Sequence, residues 1–248
     1  MLEVKELTIV VNGATVVNRS SFFIPNGKIT AMIGESGSGK SMTVAALLKI
    51  LPAGANTSGE IRYKSANLLE ATKEEVTAIR KNEFFTIFQD AMNSFNPSIK
   101  MDRQLYAFSA GRIGEDHTTY RKKMKDILGK LGLSADILDR YPFELSGGML
   151  QRCMIACALY VKPALLIADE PTSALDKVVQ KEFLKWLRLL NENGTTVLLI
   201  THDLDVVTGL ADEMIVMQKG EIVETGTVSE IFSRPTHDYT KRLLDSRF

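Results

Sequence analysis

The residues of this chain whose types and spacing carry the most chemistry are Gly34-Glu35-Ser36-Gly37-Ser38-Gly39-Lys40-Ser41. The run fits G-x-x-x-x-G-K-[ST], the pattern of a phosphate-binding loop. Glycines let the backbone curl so that successive N–H groups point inward at an anion. A helix that starts at the end of the loop adds the partial positive charge of its N-terminus. Lys40 is spaced to reach the β- and γ-phosphates of a nucleotide, and the Ser41 hydroxyl to ligate Mg²⁺. With Met42 in the first helical turn, residues 34–42 form the expected nucleotide-binding run. A Gly/Ser surface turn matches such a pattern by chance, but the flanks argue otherwise. Ile29-Thr30-Ala31-Met32-Ile33 before it is apolar enough for a buried strand, and Thr43 to Leu51 after it has helical spacing.

Three more polar clusters stand where an apolar strand ends. Gln89 follows Phe84–Phe88, Asp169-Glu170 follows Leu165–Ala168, and His202 follows Thr196–Ile200. Parallel α/β sheets bind ligands at the carboxyl ends of their strands, so the four clusters are expected around one nucleotide. Asp169 fits a Walker B carboxylate holding Mg²⁺ through water. Glu170 beside it fits the general base that polarises the attacking water. A solvated turn is the plain alternative for that pair. His202 can hydrogen-bond the γ-phosphate; a lone histidine elsewhere reads as structural, and the strand-end position favours function. Gln89 offers a weak neutral ligand to Mg²⁺ or water, suited to a switch.

Ser146-Gly147-Gly148 opens a helix and makes a second anion site, with free N–H groups and a hydroxyl. Two phosphate sites on one chain make sense if the second serves the ATP of another subunit. Cys153 and Cys157 lie four apart on that helix. A metal pair is conceivable, but with three histidines and no second thiol pair they read as small buried hydrophobes.

These residues need a frame. Leu2, Val4, Leu7, Ile9 and Val11 alternate as a half-buried strand, Asn12-Gly13 marks a hairpin, and Thr15–Val17 and Ser21–Ile24 resume the strand. Residues 52–59 read as a loop and Glu60–Tyr63 as a short strand. Thr72 and Glu75 make a capping box for a helix to Lys81. Gln104–Ser109 and Tyr120–Leu131 have helical spacing. Val178–Asn191 is an amphipathic helix, residues 213–224 a strand–turn–strand hairpin, and the last segments are helical. The expected fold is α/β: a P-loop NTPase core of mostly parallel sheet, with an N-terminal antiparallel β subdomain and an inserted all-helical subdomain. In residue terms, 1–90 and 163–248 form the nucleotide-binding core and 91–162 the insert of a single domain 1–248.

The 248 residues are 45% apolar, ample for a core, and thirty basic side chains balance thirty acidic ones, which argues against nucleic acid. Two cysteines and a charged N-terminus without a secretory leader point to a reducing, cytosolic setting. No run reaches the ~18 apolar residues of a membrane span, so any action on a membrane needs a partner.

Leu145-Ser146-Gly147-Gly148-Met149-Leu150-Gln151-Arg152 resembles the LSGGQ signature of ATP-binding cassette (ABC) ATPases. The rest of that family's set matches in order: Walker A at Gly34–Ser41, the Q-loop at Gln89, Walker B at Leu165–Asp169 with Glu170, the D-loop at Ser173–Asp176 and the H-loop at His202. The resemblance covers essentially the whole chain. It implies ATP and Mg²⁺ as cofactors, with Ser41, Gln89 and Asp169 around the metal and Glu170 and His202 as catalytic residues. It implies a head-to-tail pair with a second ATPase subunit, a different chain or another copy, across which Ser146, Gly147, Gly148 and Gln151 act in trans and Asp176 makes a dimer contact.

Finer features are similar to the importer branch for oligopeptides, dipeptides and nickel: Phe88–Pro97, Tyr141-Pro142-Phe143-Glu144 and Pro235-Thr236-His237-Asp238-Tyr239-Thr240. Ala91 stands where that branch has proline, Leu150 where it has Arg or Gln, and no aromatic lies near Val10-Val11 to stack on adenine. The short C-terminus tilts the expectation towards nickel or a metal chelate. The branch implies membrane permease partners, a solute-binding protein at one remove, no nucleic acid, and a peripheral place on the cytoplasmic face of the membrane. Asp90–Pro97 is the expected dock for a permease helix, where Met92 and Phe95 either supply apolar contact or pack internally. The alternative is a soluble ABC-type ATPase of translation or DNA repair, a class that usually shows tandem cassettes or a long coiled-coil insert; neither is present.

Overall fold

A computed structural model describes residues 1–89, 92–173 and 176–245, with Met92 described by its backbone alone. Asp90 and Ala91 of the expected dock, Ala174 and Leu175 of the expected D-loop, and residues 246–248 lie outside the described residues. In chain order the elements begin with β1 (Leu2–Val11), β2 (Ala14–Ile24), β3 (Ile29–Ile33), α1 (Lys40–Leu47), β4 (Ala55–Tyr63), β5 (Ala66–Asn67) and α2 (Lys73–Asn82). Next come β6 (Phe84–Ile87), α3 (Met101–Phe108), α4 (Ala110–Ile113), α5 (His117–Lys130), α6 (Gly147–Val161), β7 (Leu165–Asp169) and α7 (Lys177–Glu192). The last are β8 (Thr196–Ile200), α8 (Leu204–Leu210), β9 (Glu213–Gln218), β10 (Glu221–Thr227), α9 (Val228–Ser233) and α10 (Asp238–Asp245). The chain divides into two units, Met1–Arg80 with Thr196–Phe248, and Lys81–Thr195. The strands β6 and β7 and helix α7 therefore cluster with the helical stretch 91–162.

In the first unit an antiparallel sheet runs in the order β2-β1-β4-β5. Asn12 and Gly13 turn the β1–β2 hairpin with φ of 49° and 80°, as the Asn-Gly pair requires. The expected loop before Glu60 is a correction: β4 starts at Ala55 and pairs antiparallel with β1 from Val11↔Ala55 to Leu2↔Tyr63. Gly59, at φ +98°, sits at the register shift, where a Cβ would lie 2.5 Å from the Glu6 carbonyl oxygen. A glycine that looks like a strand breaker is here the residue opposite a bulge of β1, where Glu6 and Leu7 stand against Gly59 alone.

Beside this sheet, in the same unit, β3 pairs parallel with β8 on one side and β9 on the other, and β9 pairs antiparallel with β10. Every residue of β3 and β8 is buried, which is why both read as continuous apolar runs rather than alternating ones. Helices α8, α9 and α10 cover one face: Leu204, Val207, Ile231, Tyr239 and Leu244 pack on Ala31, Ile33, Met214 and Val216. The tight turn between β9 and β10 ties the two sheets together. Gly220 accepts hydrogen bonds from Asn18 N at 2.8 Å and Ser20 Oγ at 2.9 Å.

In the second unit β6 and β7 pair parallel, Phe84↔Leu165 to Ile87↔Ala168. Helix α6 is buried along most of its length, and α5 packs against it through Tyr120, Met124 and Leu128. Asp116 caps α5 by accepting from Thr118 N and Thr119 N. Phe95 is 4% exposed and its ring lies 5.7 Å from that of Phe108. The internal packing of Phe95 therefore holds, and the exposed contact does not. Cys153 and Cys157 are both buried free thiols, Cys153 pushed up by burial to about 12 and Cys157 raised by burial well above the ordinary thiol range. Among the described residues no group of three or more His, Cys, Asp or Glu is placed to hold a metal.

Candidate nucleotide site

The sequence from β3 to α1 builds the loop. β3 ends at Ile33, and the chain must turn over the end of the sheet without bulk. A Cβ on Gly34 would stand 2.1 Å from the Met217 carbonyl oxygen of β9, so the loop can leave the sheet only through a glycine. Gly37 and Gly39 adopt φ of 79° and 107°, positions that L side chains rarely occupy. Gly39 precedes α1 as its N-cap and brings no side chain to the helix end. The first N–H groups of α1 thus form the positive end of a helix dipole with no capping side chain upon it.

Lys40 is only 6% exposed, although lysine is almost never buried without partners. Its ammonium donates to Gly34 O and Glu35 O, both at 2.8 Å, and to Ser38 Oγ at 3.2 Å. These acceptors belong to the loop itself, so the cation sits inside the curl that it must serve. A buried positive charge in a glycine-rich loop at the start of a helix matches an anion of nucleotide phosphate type. Ser41 and Glu35, Ser36 and Gly37 are exposed, Ser38 is buried, and Met42 is half-buried. In the same unit His202 is exposed just past the end of β8. Thr201 and Asp203 shape that turn: Asp203 N donates to Thr201 Oγ1 at 3.0 Å, and the Asp203 carboxylate caps α8 at Asp205 N.

The second unit carries the other expected residues. Gln89 is exposed two residues after β6. Asp169 ends β7 and is half-buried, as is Glu170. Glu170 has φ +44°, a left-handed backbone that costs about 1–3 kcal/mol in a non-glycine residue and clusters at active sites. A tight turn holds it, with Ser173 N and Ser173 Oγ both donating to the Glu170 carbonyl. Asp176 caps α7, accepting from Val178 N and Val179 N at 2.9 Å each. Ser146 is the N-cap of α6, its Oγ accepting from Met149 N at 3.3 Å. Ser146 and Gly147 are exposed and Gly148 half-buried, so this helix end faces outward. Gln151 is 4% exposed and turns into the unit's interior.

The donors expected around Mg²⁺, the Ser41 hydroxyl, the Gln89 amide and the Asp169 carboxylate, are hard oxygen groups that suit that ion. Two residues that the sequence offers only within its importer-branch stretches, with no role of their own, lie near these motifs. Phe143, just before the signature, is 66% exposed and stacks on Tyr141 at 5.6 Å. The other is Tyr239, whose hydroxyl meets the phosphate loop; the sequence carries no local signal for that contact.

The description "ABC transporter" matches residues 17–173 of the chain. The oligopeptide transport ATP-binding protein OppD of Bacillus subtilis is 40% identical, over 99% of this chain and 71% of its own length. The peptidoglycan transport ATP-binding protein YejF of Agrobacterium fabrum is 42% identical, over 98% of this chain. Here the chain spans less than half of its relative, 46% of YejF. Among solved structures, the dimeric post-hydrolysis state of the ATP-binding cassette MJ0796, bound to ADP and Pi, superimposes with a TM-score of 0.79. It is 25% identical and covers 92% of this chain and 99% of its own. An ATP-binding subunit of an ABC transporter, 24% identical, shares the fold with a TM-score of 0.82 over 99% of both chains.

Proposed function

The chain belongs to the ABC transporter family of ATP-binding cassettes, and from that premise we propose that it is the ATP-hydrolysing motor of an importer for small peptides. The observation that carries this reading is Lys40, buried within a glycine loop at the uncapped start of α1. The β- and γ-phosphates of ATP lie along the loop N–H groups, and Lys40 exchanges its carbonyl partners for phosphate oxygens. Ser41, Gln89 and Asp169 are the residues that would hold Mg²⁺, which when bound would supply neutralisation of charge on the phosphoryl group. Glu170 takes the proton of the attacking water, and its left-handed backbone fixes where the carboxylate is presented. His202 hydrogen-bonds the γ-phosphate.

Ser146 and Gly147 at the outward start of α6 contact the ATP of a second cassette, a different chain or a second copy, with Asp176 near the dimer contact. Gln151 is interior, so it supports α6 rather than reaching across. The cassette docks on a membrane permease at the cytoplasmic face, where the stretch from Asp90 to Pro97 transmits closure around ATP. A solute-binding protein delivers the cargo on the far side. Peptide cargo is favoured by the names of the relatives, which include oligopeptide and dipeptide transport proteins. Nickel and metal chelates are the other cargo expected from the sequence. A strain deleted for this chain, assayed with labelled dipeptides, oligopeptides and nickel, tests the proposal. Lost peptide uptake, restored by wild type but not by Glu170→Gln, supports it. Unchanged uptake of all these solutes overturns it in favour of a soluble ATPase.

A further inference from the structure

The stretch Pro235–Thr240 belongs to no step of the mechanism, yet it ends on the phosphate loop. The Tyr239 hydroxyl accepts a hydrogen bond from the backbone N–H of Glu35 at 2.9 Å, across 204 positions of sequence. That N–H and the Gly34 carbonyl belong to one peptide group. The carbonyl accepts from Lys40 Nζ at 2.8 Å. The first peptide of the loop is therefore held at both ends, by a lysine and by a tyrosine.

The tyrosine is itself well fixed. Its ring is buried in the cluster formed with Ala31, Ile33 and Val216. Its backbone N–H donates to His237 Nδ1 at 3.2 Å. The turn before it is gripped from β10: the Glu224 carboxylate accepts from Thr236 N at 2.7 Å, Thr236 Oγ1 at 2.8 Å and His237 N at 3.1 Å. The hydroxyl is thus a fixed acceptor on the body of the first unit, aimed at a loop made mostly of glycines and serines.

We infer that Tyr239 is a positioning residue of the nucleotide site, whose hydroxyl keeps the Gly34–Glu35 peptide in the shape that receives the phosphates. This rests on the nucleotide-binding reading above. When Lys40 turns to phosphate oxygens, the Gly34 carbonyl gives up that partner, and Tyr239 remains as the holder of the peptide. Binding then orders less of the loop, and preorganisation of this kind raises affinity. Glu35 is exposed, so water replaces the hydroxyl when it is removed, and the fold is not left with a buried orphan donor.

The test is Tyr239→Phe in the full chain, which keeps the ring and deletes the acceptor. Three quantities are measured beside wild type: the ATP dissociation constant with Mg²⁺, amide exchange at Glu35, and thermal stability. The expected result is an ATP affinity weaker by about two- to tenfold, the range of one hydrogen bond. Exchange at Glu35 is faster, while exchange along β3 and the melting temperature stay near wild type. A merely structural tyrosine would lower the melting temperature and leave the ATP affinity unchanged. Unchanged affinity, with or without faster Glu35 exchange, overturns the inference and leaves the nucleotide site standing. A wild-type chain that binds no ATP overturns the nucleotide reading and this inference with it.

Discussion

Gly34→Ala measures how tightly the phosphate loop is built into the sheet. The new Cβ would stand 2.1 Å from Met217 O, 2.8 Å from Ser38 Oγ and 3.1 Å from Met217 C. The nearest neighbour is backbone of β9, which pairs with β3 at Ile33↔Val216, so no side chain can swing away. The strands must part by roughly 1 Å or the loop must rebuild, and overpacking of this kind costs about 1–3 kcal/mol. Alanine at φ +155° adds a backbone cost of about 1–3 kcal/mol. The sum is about 2–6 kcal/mol, and at about 2–4 °C per kcal/mol for a chain of this length the melting temperature falls by roughly 5–20 °C. Gly37→Ala is the control. It has φ +79° but nothing within 4 Å of its Cβ, so only the left-handed cost of about 1–2 kcal/mol remains. Scanning calorimetry of both variants decides the matter. Equal melting temperatures for Gly34→Ala and Gly37→Ala would refute the claim that the sheet, rather than the loop conformation alone, demands glycine at 34.

Three further outcomes follow from the same geometry. Glu170→Gln binds Mg-ATP but turns it over about 10²–10⁴ times more slowly, with the ATP-bound dimer accumulating on a sizing column; wild-type turnover would place the base elsewhere. A mixture of Ser146→Arg and Lys40→Ala chains retains at most one competent composite site per dimer, whereas each variant alone has none; equal activity in all three samples would contradict the trans arrangement. Burial pushes Glu224 upward, but the Thr240 side chain and the hydrogen bonds accepted from Thr236 and His237 together outweigh that and hold its folded-state pKa below the ordinary 4.5. A lowered carboxylate stabilises above its unfolded pKa and loses that contribution as pH falls through the folded one. Unfolding free energy therefore drops in acid below about pH 4.5, and less steeply in Glu224→Gln; identical slopes would remove Glu224 from the balance.

Local rules carried far in this chain. The phosphate loop was legible because its residue types answer a steric demand within eight positions, and the Asn12-Gly13 turn because both φ values must be positive. The capping box formed as its spacing predicts: Glu75 N donates to Thr72 Oγ1 at 3.2 Å, and Thr72 N to the Glu75 carboxylate at 2.7 Å. The start of β4 was illegible because Gly59 is chosen by the carbonyls of Lys5 and Glu6 on another strand, not by its neighbours. Gln151 lies within a motif yet faces inward, since the face of α6 is set by what packs on it. Tyr239 reads as an ordinary helix residue until folding brings its hydroxyl to Glu35. Pattern reveals chemistry that is contiguous and hides contacts that only the tertiary structure creates.

The most direct measurement on the central claim is calorimetric titration of ATP with Mg²⁺ into the wild-type chain and into Lys40→Ala. Lys40 gives up loop carbonyls for phosphate, a charge-assisted contact of about 1.5–3 kcal/mol, so the variant should bind about 10- to 150-fold more weakly. Saturable binding by wild type with that loss in the variant is the predicted result. Equal affinity in the two proteins would contradict it.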